Sequence, residues 1–241
     1  MFKWSESDKL ALPILFVVIV GVSILLHFIL KNKSEKIKQI PLHIVSAALI
    51  ILEIIKQIYF AANGIYTKNT LPIHFCSFIV VIIAFAQFLP SKVAKWFDAP
   101  SVVFPLIAII LVIVHPRSMI GNSSATMFNS FPNFHAFYFH ALVIAYPILK
   151  LSLLNINLKA KYALSIVGLL GIYCSYAIPL AFYLKNNYLN ILYSYFYPLE
   201  QLRLSYGQVL YDVVLVGLGL SACLAIYFIW FLISKTINKR K

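Results

Sequence analysis

Acidic residues are scarce in this 241-residue chain: seven Asp and Glu stand against twenty Lys and Arg, and charged residues of both signs make up only 11% of it. An ordinary soluble domain is about one quarter charged and about half apolar. At 62% hydrophobic, a water-soluble globule and a disordered chain are both excluded. Cysteine is sparse as well. Cys76, Cys174 and Cys223 fall inside apolar stretches and form no Cys-x-x-Cys pair, which excludes a disulfide framework and offers no zinc spacing. Internal repeats and low-complexity segments are missing, so nothing points to an inverted-repeat transporter.

What the chain has instead is long apolar runs, with a mean hydropathy of +0.89. Runs of spanning length fall near 11–30, 41–62, 73–90, 101–119, 134–151, 162–183 and 209–233, each close to the roughly 20 residues that a bilayer requires. The expected fold is an all-α membrane protein, a seven-transmembrane-helix bundle forming one polytopic domain over 1–241. The first run reads as a span rather than a signal peptide, because its apolar stretch continues from Ile24 to Leu30.

The net charge of +13 would suggest nucleic acid in a soluble protein. Here most of the basic residues sit in short connections, where they orient helices and meet anionic headgroups, so phospholipids and not nucleic acid are the expected partners. The 31–40, 91–100 and 150–161 connections and the tail from Lys235 carry thirteen Lys and Arg, against six on the alternate side. Positive-inside placement then puts the N-terminus outside and the C-terminus in the cytoplasm. The outer connection 184–208 holds Tyr188, Tyr193, Tyr195, Phe196 and Tyr197, which read as an interfacial aromatic belt.

Ionisable groups inside a span are costly unless paired or wetted, so they carry the functional information. Glu53, Lys56 and Gln57 are spaced i, i+3 and i+4 and share one helix face, where Glu53 and Lys56 neutralise each other. A structural ion pair and the polar wall of a cavity both fit. The third span opens Thr70-Leu71-Pro72-Ile73-His74-Phe75-Cys76-Ser77. Pro72 suits a first turn and Thr70 a cap, which would put Cys76 in or just past that turn. Amide hydrogens, the helix dipole and a nearby imidazole such as His74 all favour a thiolate there. A small packing residue is the plainer reading, and it holds for Cys174 and Cys223.

His135 and His140 open the fifth span with about 140° of rotation between them, so they do not share a face. His140 is the deeper and is expected to be the buried one, with His135 toward headgroups or a neighbouring helix. Cys76, His140 and Glu53 should lie about 6, 9 and 13 Å below the outer helix ends at 1.5 Å per residue. His115 closes the fourth span near the same surface. Cysteine beside imidazole, opening onto lipid esters, has the makings of nucleophilic acyl transfer, with Cys76 as nucleophile, His140 as base and Glu53 orienting the imidazole or pairing with Lys56. The histidines and Cys76 match no standard zinc pattern, and no metal or cofactor is expected.

Leu71-Pro72-Ile73-His74-Phe75-Cys76-Ser77, Phe131-Pro132 followed by His135 and His140, Glu53 and the Asn187-Tyr188 pair together resemble the YwaF-type family of bacterial integral-membrane proteins. Eukaryotic transmembrane ether-phospholipid acyltransferases are grouped with that family. The resemblance spans roughly residues 40 to 190. It implies a seven-helix fold in a bacterial plasma membrane, with Cys76 accepting a fatty acyl chain and His140 serving as base for transfer between phospholipids. After Asn187-Tyr188 the chain runs into Leu189-Asn190-Ile191 rather than the His-Lys-Pro segment of bacterial members. The rival expectation is a non-enzymatic transporter or binding protein whose polar cavity is lined by Glu53, Lys56, Gln57 and the histidines. A seven-helix receptor rests on span count alone.

Overall fold

The structure, a computed structural model, describes residues 5–114, 124–156 and 158–238. His115 and Arg117 lie outside the described residues, as do Lys3 and the basic triplet 239–241. Nine α-helices are found among the described residues: α1 (Glu6–Leu30), α2 (Glu35–Ala62), α3 (Phe75–Phe88), α4 (Ser91–Ala94), α5 (Pro100–Val114), α6 (Phe131–Leu153), α7 (Ala163–Leu184), α8 (Tyr197–Tyr206) and α9 (Gln208–Asn238). Among the described residues six stretches are long and apolar enough to cross a membrane: Ser7–Leu30, Glu35–Ala62, Lys68–Phe88, Phe131–Leu153, Ala160–Leu184 and Gln208–Thr236. The fourth expected span is helical as α5 over its 15 described residues, and its remainder, 115–119, lies outside the described residues.

Helix ends differ from the apolar runs where local chemistry extends them. α1 begins at Glu6 because Ser5 caps it in a capping box with Asp8. α2 begins at Glu35, so Lys36 and Lys38 belong to the helix and not to the connection. It stops at Gly64, whose φ of 65° is the left-handed conformation that ends helices at low cost. Pro72 precedes α3 in a turn instead of occupying its first position.

The chain forms two compact units. One comprises Met1–Tyr59 with Ile79–Asn157, the other Phe60–Phe78 with Leu158–Lys241. In the first, α6 packs against both α1 and α5. Their shared core is Leu12 and Ile19 from α1, Val112 from α5 and Ile144 from α6. The His27 ring, late in α1, bonds the carbonyl of Ser152, late in α6, at 2.6 Å, so these two helices run parallel. Asp98 lies just before α5 and meets Lys150 near the end of α6 at 2.7 Å, which makes α5 antiparallel to α6.

In the second unit α9 packs against α7 and α8. Tyr227 of α9 donates to the carbonyl of Lys159 ahead of α7 at 2.7 Å. Lys68 donates to the carbonyls of Leu184 and Lys185 at 3.0 and 2.8 Å, capping the end of α7 with a cation where the helix dipole is negative. Tyr188 is fully buried and so leaves the expected belt, whereas Tyr193, Tyr195, Phe196 and Tyr197 are exposed.

Candidate functional site

In the first unit the i, i+3, i+4 face of α2 is arranged as the spacing implies. Glu53 Oε1 accepts from Lys56 Nζ at 2.6 Å and from Gln57 Nε2 at 2.8 Å. Its other oxygen, Oε2, is buried without a hydrogen-bond partner. The carboxylate therefore pairs with Lys56 and does not orient an imidazole.

The histidines of α6 exchange their expected roles. His135 is 6% exposed, its Nε2 has no partner, and its ring lies against the Leu52 carbonyl of α2, within electrostatic reach of Lys56 and His140. Phe139 stacks on it with ring centroids 5.0 Å apart. Tyr59 against Phe131 at 4.6 Å brings the end of α2 to the start of α6. The face that helical rotation assigns to His135 is thus the one turned to α2, and depth along the helix is not what buries it. His140 is half-buried, and its Nδ1 bonds the Ala136 carbonyl one turn back at 2.6 Å. A carbonyl only accepts, so Nδ1 carries the proton and Nε2 is the basic nitrogen of the neutral ring.

The second unit builds the surroundings of Cys76. A short turn over Lys68–Thr70 is closed by Thr67 and Thr70, each bonding the other's backbone or side chain. His74 starts α3: its carbonyl accepts from Ser77 N at 3.0 Å and Phe78 N at 3.2 Å. Cys76 therefore sits in the first turn, 8% exposed. The His74 ring donates from Nε2 to Asn69 O at 3.1 Å and meets the Tyr188 ring edge-on at 5.0 Å.

Two buried tyrosines fix this strap. Tyr173 of α7 donates to the Ile73 carbonyl at 3.1 Å, packs on Phe75 and Phe78 at 5.1 Å each and lies within electrostatic reach of Cys76. Tyr188 donates to the Lys68 carbonyl. Cys76 and His74 belong to one unit, and Glu53, Lys56, Gln57, His135 and His140 to the other. Among the described residues no three His, Cys, Asp or Glu side chains converge on one point.

A model of the TMEM164 family matches residues 1–231. The chain belongs to the TMEM164 family. No curated protein and no solved structure matches it. The match to this transmembrane family runs through both units and covers every candidate site residue named above, and with six apolar helices among the described residues it makes the chain a multi-pass membrane protein.

Sequence reasoning missed a second polar cluster in this TMEM164-family chain. Lys150 is 1% exposed, with its ammonium on Asp98 Oδ1 at 2.7 Å and Ser101 Oγ at 3.0 Å and over the Tyr146 ring at 5.6 Å. Gln87 of α3 donates to Tyr146 Oη at 2.6 Å. The signal was available: Lys150 falls within the apolar run 134–151 and not in the connection that follows. Tyr173 and Tyr188 gave no comparable signal, since an aromatic in or beside a span is ordinary.

Proposed function

We propose that this chain is an integral-membrane acyltransferase or transacylase that passes a fatty acyl chain between phospholipids in the outer leaflet. The observation that carries the reading is the placement of Cys76 in the first turn of α3, where the positive end of the helix dipole favours negative charge. Cys76 acts as nucleophile. His140, with Nδ1 held by Ala136, takes the thiol proton on Nε2 as sulfur attacks the ester carbonyl, and returns it to the departing lysophospholipid oxygen. The acyl-cysteine then meets the hydroxyl of the acceptor lipid. His140 removes that proton, the new ester forms and the thiolate leaves, to be reprotonated. His74, His135, Glu53, Lys56 and Gln57 support the site.

The resemblance to YwaF-type proteins and their ether-phospholipid acyltransferase relatives supports this reading, and with it a bacterial plasma membrane. The charge asymmetry of the connections supports an outside N-terminus and a cytoplasmic C-terminus. Seven crossings are supported by the parallel run of α1 and α6. With α2 and α3 crossing between them, a parallel pair requires the α5 segment to cross as well.

Labelling with an alkyne-bearing phospholipid tests the mechanism. Wild type should retain a hydroxylamine-sensitive label and Cys76→Ala none. Equal labelling of both would remove the acyl-cysteine.

A second reading is favoured by Glu53 Oε2 and His135 Nε2, both buried without partners. Two orphaned polar atoms inside the first unit suit the wall of a cavity that receives a polar solute, as in a transporter or binding protein. In a functional complementation assay this reading predicts loss with Glu53→Gln and none with Cys76→Ser. Acyl transfer predicts loss with Cys76→Ser.

A further inference from the structure

Between the apolar helices α7 and α9 the chain has only residues 185–207, and α8 takes ten of them. Ten helical residues span about 15 Å, half of a hydrocarbon core. To cross and return, the thirteen residues of this connection outside α8 would have to run through hydrocarbon with unpaired backbone groups, which favours α8 lying along a membrane surface.

Its composition fits the boundary between headgroups and acyl chains better than water. No residue of α8 is buried in its unit. Tyr197 and Leu204, two turns apart on one face, are 72% and 63% exposed, with Gln201 between them and Tyr195 and Phe196 exposed just ahead. The only charged residues on α8 are Glu200, at i+3 from Tyr197 and i−4 from Leu204 and so at the edge of that face, and Arg203 off it, and the two neutralise each other. Arg203 donates from Nη2 at 2.5 Å and from Nε at 3.1 Å, while Glu200 Oε2 also accepts from Ser194 N at 2.8 Å. Apolar contacts with tyrosine hydroxyls at their rim are the pattern of an interfacial helix, and a neutral face needs no anionic lipid.

Gly207 lets α8 leave the axis of α9. Its φ of 90° with ψ of 169° is a conformation that only glycine adopts readily. Just past it Val209 is exposed, so the apolar surface of α8 continues into the outward surface of the α9 span.

We propose that Tyr197–Tyr206 is an in-plane helix whose Tyr197/Leu204 face is embedded at the headgroup boundary of the bilayer, with lipid rather than protein as its partner. The acyl-transfer reading is not needed for it.

The test uses the full chain in phosphatidylcholine nanodiscs with a nitroxide at Leu204→Cys or Tyr197→Cys in a background lacking native cysteines, and Lys33→Cys as an aqueous reference. At 197 and 204, collisions with dissolved oxygen should exceed those with a water-soluble nickel chelate several-fold relative to position 33. Neither phosphatidylglycerol nor high salt should alter the ratio. Chelate access equal to that at position 33 overturns the proposal. Spin broadening at 204 that grows with protein-to-lipid ratio also overturns it, by assigning the face to a second copy of the chain. Should the cysteine-free background fail to fold, Leu204→Trp in the native background gives the same answer by quenching with brominated phosphatidylcholine: strong quenching over the native tryptophans supports lipid contact, and no added quenching overturns it.

Discussion

Lys150 is the side chain whose burial is most demanding in the first unit, and its partners explain why it is tolerated. A buried ammonium is stable only with a counter-charge and good geometry. Asp98 supplies the charge, Ser101 a second acceptor and Tyr146 a ring face. The two partners are not equivalent, because Asp98 is partly exposed while Lys150 is buried. Asp98→Asn strands the cation and should cost about 3–5 kcal/mol. Lys150→Met leaves a carboxylate that water can reach and should cost clearly less. Thermal unfolding of the two variants in detergent checks the order, and equal losses would mean the pair carries no net charge burial. Residue chemistry was partly legible in the sequence. The Glu53–Lys56–Gln57 face followed from spacing alone. The choice between His135 and His140 did not, because the direction of α2 from α6 decides which imidazole is enclosed.

At the scale of elements, α8 and the loop before it depend on a few polar contacts. Lys185, Leu189 and Asn190 all have positive φ, between 49° and 60°, conformations that cost energy outside glycine. The loop is held by Asn187 accepting from Leu192 N at 2.8 Å, by Gln208 donating to Ile191 O at 2.6 Å and by Tyr211 bonding the Asn190 carbonyl. The link onward to α8 is Glu200, whose carboxyl is held below its ordinary range by the Arg203 guanidinium and then by the Ser194 amide. A carboxylate with a depressed folded value contributes stability above its unfolded value and loses it as pH falls through the folded one. The protection of Ser194 and α8 against amide exchange, relative to the intrinsic rate at each pH, should therefore hold from neutral pH down to the ordinary carboxylate range and fall only below it. In Arg203→Gln protection should be lower at neutral pH and should fall by less in acid. A profile unchanged by that substitution would detach Glu200 from the loop. The interfacial character of this connection was legible in its tyrosines, but the burial of Tyr188 was not, because it depends on the strap around Lys68.

At the scale of the molecule, the crossing number decides where the termini lie. Seven crossings put them on opposite faces, six on the same face. α5 is described as far as Val114, and the parallel run of α1 and α6 supports the proposed crossing by its segment. With Lys36, Lys38, Lys150 and Lys235 counted as residues of the long helices on one side and Lys9 on the other, the basic connections still lead by nine to five. Protease-accessible tags at each end of the full chain should report the N-terminus outside and the C-terminus inside. Tags on the same side would remove the crossing by α5 and reverse the charge argument.

Composition and periodicity by themselves determined that this TMEM164-family chain is a membrane-spanning helical protein, where its helices fall and which residues are too polar for lipid, because hydrocarbon admits only long apolar helices with satisfied backbones. Only the tertiary structure decided which polar groups find partners: Lys150 with Asp98, Tyr173 with the carbonyl before α3, His135 against α2. Such pairings join positions dozens of residues apart, and no local pattern records which helix becomes whose neighbour.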